Sequence, residues 1–137
     1  MLRGFRLLIA GAVLLGMTLM FPAQSRAFDL TGAWAIHPGL CSEVFTKKGA
    51  QIIFAELSDL YGSGFIADDR RITGKSVQCT IQSQKQDGNN LEIAAACATS
   101  IMNQNLKFNV KILDDDNIDR LFEEIPGMTL RYARCKL

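Results

Sequence analysis

The chain has 137 residues, with 15 basic and 14 acidic side chains, one His, one Trp and four Cys. A net charge of +1 without a basic stripe excludes the electrostatic footprint of a nucleic-acid or anionic-membrane binder. One His and no C-x-x-C spacing give no zinc or thiol-redox pattern, so neither a metal nor any other cofactor is expected.

The chain opens as an export signal. Arg3 and Arg6 precede an apolar run from Leu7 to Phe21, and small residues, Ser25 and Ala27, stand where a signal peptidase reads. The run is shorter than the about 20 apolar residues a bilayer span needs, and no second long apolar segment follows, so no stable membrane anchor is expected. Residues 1–27 are read as a signal peptide and residues 28–137 as one exported domain, periplasmic or secreted. That domain holds 12 basic and 14 acidic side chains, a net charge of −2.

The rest reads as short strands. Gly32 to Ile36 is an early one, and Gln51 to Phe54, Phe65 to Ala67 and Arg71 to Gly74 follow. Between them Glu56 to Tyr61 has room for one helical turn, closed by Gly62. Val77, Cys79, Ile81 and Ser83 then alternate with Gln78, Thr80, Gln82 and Gln84; Leu91, Ile93, Ala95 and Cys97 alternate in the same way. Leu106, Phe108, Val110 and Ile112 make a third run, and Thr129 to Cys135 a last strand. Period-two alternation means strands with one buried face. Turn residues separate them at Asp87-Gly88-Asn89, Asn103-Gln104-Asn105, Asp114-Asp115-Asp116-Asn117 and Pro126-Gly127. The expected fold is all-β: a small antiparallel meander barrel of about eight strands with two disulfides.

An even number of cysteines in a small exported domain points to disulfides. A loop centred on Gly88 pairs residues whose numbers sum to 176, which sets Cys79 opposite Cys97. A loop centred on Asn89 would shift the pairing by two and separate them. The first register leaves Cys41 for Cys135, neighbours if the barrel closes.

Asp29-Leu30-Thr31-Gly32-Ala33-Trp34 carries the one family signal. A Gly-x-Trp in the first strand resembles the lipocalin signature. The resemblance implies that Trp34 plugs one barrel end, with a basic residue of the last strand, Arg131 or Arg134, over the indole. The chain departs from lipocalins in its shorter length, in lacking their Thr-Asp-Tyr motif and in having nothing after the last strand for their C-terminal helix. It is also similar to secreted proteins of alphaproteobacteria and to small periplasmic barrels that inhibit metalloproteases or lysozymes. It lacks the Ser-rich arm of the former and the Tyr that closes the Ser-Gly motif of the latter.

No catalytic pattern emerges. His37 has no evident partner, and Ser42 and Ser63 lack a Gly-x-Ser-x-Gly setting. Tyr61-Gly62-Ser63-Gly64 lacks the Lys of a phosphate cradle, and the Asp114–Asp119 cluster lacks the Gly and Glu of an EF-hand loop. The chain is therefore not expected to be an enzyme. Convergence of Asp68, Asp69, Glu92, Asp119 and Glu123 in one pocket would overturn that. Two readings follow. The first is an interaction or inhibitor-type protein that meets another periplasmic protein through a loop containing Leu60, Tyr61, Ser63 and Phe65. The alternative is a carrier of a small apolar ligand, lined by Phe45, Phe54, Phe65, Phe108 and Phe122. A domain of this length favours an interior filled by side chains, and so the first reading.

Overall fold

The computed structural model describes residues 26–137, so the export segment assigned above falls outside the described residues as far as residue 25. The strands are β1 (Gly32–Ala35), β2 (Phe45–Lys48), β3 (Gln51–Phe54), β4 (Gly64–Ala67), β5 (Arg71–Thr73), β6 (Gln78–Asp87), β7 (Asn90–Ala98), β8 (Asn103–Asp114), β9 (Asn117–Leu121) and β10 (Thr129–Arg134). A single α-helical turn, α1, covers Cys41–Val44. Eight strands close an antiparallel barrel in the order β1, β10, β9, β8, β7, β6, β5, β4 and back to β1. This is the all-β meander expected, and it is compatible with a lipocalin-like fold.

Its membership differs from the expectation in two places. Gln51–Phe54 is not a stave: it pairs with Phe45–Lys48 as a hairpin outside the barrel. The eighth stave is instead β9, within a stretch that reads as turn and linker. Its start is hidden in the Asp-rich turn, and Arg120 interrupts its apolar alternation.

The β6–β7 pair also departs in detail. Cys79 does face Cys97, but the connecting turn has two residues, Gly88 and Asn89, and lower pairs such as Ser83 with Ala94 run one residue out of step. A β-bulge between Ile81 and Ser83 absorbs the difference. Gly88, with φ 57°, supplies the positive φ that a two-residue hairpin turn requires. Below the bulge Ser83 leaves the core face and is exposed.

The alternation sorts side chains onto two layers. Inward go Trp34, Leu91, Ile93, Val110, Ile112, Ile118 and Tyr132, which form the barrel core. Outward go Ala33 and Ala35, and against them pack Val44, Phe45 and Cys135. The α1 turn and the β2–β3 hairpin thus cover the outer wall. Gly64 permits this close approach: a Cβ there would lie 2.5 Å from the Trp34 carbonyl and 2.8 Å from Phe45 Cζ. The Cys41–Cys135 disulfide staples this outer layer to the end of β10, and Cys79–Cys97 crosslinks β6 to β7.

The pairings define two barrel ends. Gly32, Arg134, Asn117 and Asn90 lie at one, and Gly64, Thr73, Ala98 and Thr129 at the other.

Candidate functional site

The first end is shut by Trp34 and Arg134. The indole is fully buried and donates Nε1–H to the Leu30 carbonyl at 2.8 Å. Phe65 stacks beside it with ring centroids 6.2 Å apart. The Arg134 guanidinium lies 4.3 Å from the indole centroid. It donates to the carbonyls of Asp29 (2.7 Å) and Asp115 (3.0 and 3.1 Å) and to that of Thr31, and it pairs with Asp116 at 3.4 Å. One side chain therefore ties the N-terminal segment and the β8–β9 turn over the Trp.

Of the two arginines weighed, Arg134 holds this position and Arg131 does not. Strand alternation decides it: Arg134 shares a face with inward Tyr132, whereas Arg131 points out and bonds Asp119 on β9 at 2.8 and 3.1 Å. That bidentate contact holds the Asp119 carboxyl below the usual carboxylate range. Asp29 is also held low, chiefly by the Thr31 backbone N–H.

Above the plug the interior is open. A cavity of about 480 Å³ runs from Leu30 and Ile118 to Asp59, Ser63, Lys75 and Val77 at the far end. Phe65, Ile72, Ile93, Phe108, Val110 and Tyr132 form much of its wall. The expectation of a filled interior is thus corrected. The cause lies in side-chain size: along β7 the inward residues shrink from Leu91 and Ile93 to Ala95 and Cys97 towards the open end. Gly62, Gly64 and Gly74 also line the cavity and add no side-chain volume to it. Of the five Phe named as candidate lining, Phe54, Phe65 and Phe108 reach the cavity, whereas Phe45 is buried in the outer layer and Phe122 packs on Arg120 without lining the cavity.

One wall residue was not legible as a site. Arg120, on β9, lines the cavity with its guanidinium carbon 4.8 Å from the Phe108 ring centroid and 4.6 Å from that of Phe122. Its Nε is buried and finds no hydrogen-bond partner. The available signal was parity: Arg120 shares the inner face with Ile118, two residues before it.

The mouth is built around Lys75. Its ammonium donates to the carbonyls of Ala55 (2.9 Å) and Glu56 (3.1 Å) and to Ser58 Oγ (2.8 Å), with Asp59 at 3.8 Å. Ser58 is buried at the base of a 3-10 turn, Ser58–Tyr61, which Gly62 terminates. The candidate loop divides accordingly. Leu60, Tyr61 and Ser63 are exposed, and Ser63 lines the mouth. Phe65 belongs to β4 and is directed inward, edge-on to Tyr132 at 5.1 Å, so it is wall rather than loop contact. Other exposed apolar residues occupy loops at this same end: Leu57, Leu60 and Ile101 are 61%, 73% and 88% exposed, and Met102, Ile125 and Met128 accompany them.

The carboxylates named as a catalytic alternative are dispersed. Asp68 accepts from the Arg70 and Arg71 backbone in its own turn, Asp69 is exposed beside it, Glu92 lies 3.6 Å from Lys107, Asp119 bonds Arg131, and Glu123 accepts from Asn109. None of them lines the interior cavity. No family model matches the chain, and no curated protein or solved structure does.

Proposed function

We propose that this chain is an exported, lipocalin-like binding barrel that carries a small ligand with an apolar body, without catalysing a reaction. The observation that carries this reading is the interior cavity, closed by Trp34 and Arg134 at one end and walled by aliphatic and aromatic side chains. Its volume of about 480 Å³ falls within the range of small-molecule sites. This reverses the order that chain length suggested, because a filled barrel would have left only its loops to act. The two disulfides support a site of action outside the cytoplasm, where such bonds persist.

A neutral apolar fluorophore such as N-phenyl-1-naphthylamine tests the reading. Saturable binding with one site per chain is expected. Val110→Phe, which adds volume on the wall, should weaken it while leaving the circular dichroism spectrum unchanged. No saturable binding, or binding indifferent to Val110→Phe, rejects the interior as the site.

The exposed apolar residues around the mouth favour a second reading, contact with another periplasmic protein. Native mass spectrometry of the protein isolated from its own compartment tests it. A retained protein partner that is lost in a Leu60→Ser, Ile101→Ser variant supports this reading, and a mass of the free chain in both rejects it.

A further inference from the structure

We infer that the ligand is an amphipathic anion, and that Arg120 receives its oxyanion head inside the barrel. This rests on the interior being the binding site. Alternation along β9 puts Arg120 on the inner face, opposite Val110 on β8 and Leu130 on β10, so its cross-strand neighbours are apolar. Among the described residues its side chain makes no hydrogen bond and no ion pair, and its Nε is buried with no partner. Among the described residues, the guanidinium is met by the rings of Phe108 and Phe122.

Those two rings pack against the guanidinium and offer no oxygen acceptor to its N–H donors. Arg134 shows how the same side chain is satisfied elsewhere in this fold, by three carbonyls and Asp116. At Arg120 no described residue accepts from the side chain, and the residue lines the cavity. The other charged residues of the wall do not supply them: Asp59 lies against Lys75, which is bonded to Ala55, Glu56 and Ser58. A neutral ligand would leave the guanidinium unpaired in a now drier cavity, whereas an oxyanion matches its fork of donors. At roughly 30 Å³ per non-hydrogen atom, a volume of about 480 Å³ holds on the order of 16 such atoms. A medium-chain fatty acid, or an alkyl phosphate of similar length, has this size and polarity.

The test is displacement of N-phenyl-1-naphthylamine from the full mature chain by dodecanoate, dodecyl phosphate and dodecanol, which share one alkyl tail. We expect an anionic competitor to displace the probe at about tenfold lower concentration than dodecanol, the factor that one charge-assisted contact is worth. Dodecanoate in the lead identifies a carboxylate head, and dodecyl phosphate in the lead a phosphate. Arg120→Met should abolish the advantage while probe binding persists, and Arg120→Lys should keep part of it. Anions no better than dodecanol, or an advantage that survives in Arg120→Met, overturns the inference while leaving an apolar carrier standing. In that case water alone hydrates Arg120. Failure of the neutral probe and of every competitor to bind rejects the carrier reading itself.

Discussion

Replacing Arg134 by Met removes the brace of the closed end without deleting its volume. Three contributions are lost. The cation–π contact at 4.3 Å is worth about 1 kcal/mol at a partly buried position. Hydrogen bonds from a charged donor to the carbonyls of Asp29, Thr31 and Asp115 contribute about 1 kcal/mol each, at the lower end because the Arg134 side chain is 21% exposed and the carbonyls regain some water. The pair with the half-exposed Asp116 adds little. Met recovers part of the packing over the indole, so the net loss is about 3 kcal/mol. For a domain near 100 residues this lowers Tm by roughly 12 °C. Trp34 is the chain's one Trp, so its fluorescence reports on this end alone during urea or thermal unfolding. The matched control is Arg131→Met, which removes an exposed arginine from the outer face and should cost far less. If the two variants unfold within about 0.5 kcal/mol of each other, the assignment of Arg134 as the brace is wrong, since surface substitutions scatter by that much.

Chain-entropy arithmetic ranks the disulfides. Cys41–Cys135 closes a separation of 94 residues and Cys79–Cys97 one of 18, so paired Ser replacements should cost about 4.7 and about 3 kcal/mol respectively in urea unfolding. Equal costs, or the reverse order, would count against loop closure as the main stabilising effect. Asp29, Asp68, Asp114 and Asp119 all have lowered pKa values, set first by hydrogen bonds from Thr31, Arg70, Asn117 and Arg131. Their stabilisation is complete above the unfolded carboxylate value of about 4 and is lost as pH falls through the lower folded values. Urea midpoints should thus hold level from pH 7 to about 5 and fall below about 4; a midpoint that rises on acidification contradicts the sign. Exported protein should begin at Phe28, and an intact mass that retains residues 1–27 refutes the processing site.

The barrel was legible where side chains obey one local rule. Cys79 and Cys97 sit where the apolar faces alternate regularly, as far as Ile81 on β6 and along β7, so register alone brought them together. Even there the inference was only partly right. The turn is one residue shorter than a loop centred on Gly88, and the bulge that compensates has no sequence signature in a run of Gln and Ser. The outer layer was less legible. Gln51–Phe54 has the composition of a stave, and only its pairing with Phe45–Lys48 and the packing of Phe45 on Gly64 place it outside the wall. Strand propensity describes a pleated, half-buried surface, and an outer hairpin offers one as readily as a barrel does.

The cavity was not legible because it depends on sums of side-chain sizes around a ring. Ala95 and Cys97 look like ordinary core, and only when Gly62, Gly64 and Gly74 line the same barrel interior does space stay empty. Arg120 links this omission to the missed strand. A charged residue at an inward position broke the alternation that would have revealed Asn117–Leu121. The same residue stands in the finished barrel with a buried Nε that has no acceptor among the described residues. Local rules and global fold agree nearly everywhere else on this chain, and natural sequences depart from such agreement chiefly where function requires it. A buried donor without an acceptor lowers stability, so the Arg120 Nε on the cavity wall needs a compensating gain, and an anion from outside the chain provides one. The lapse in the strand pattern and the polarity of the proposed ligand thus share a single physical origin.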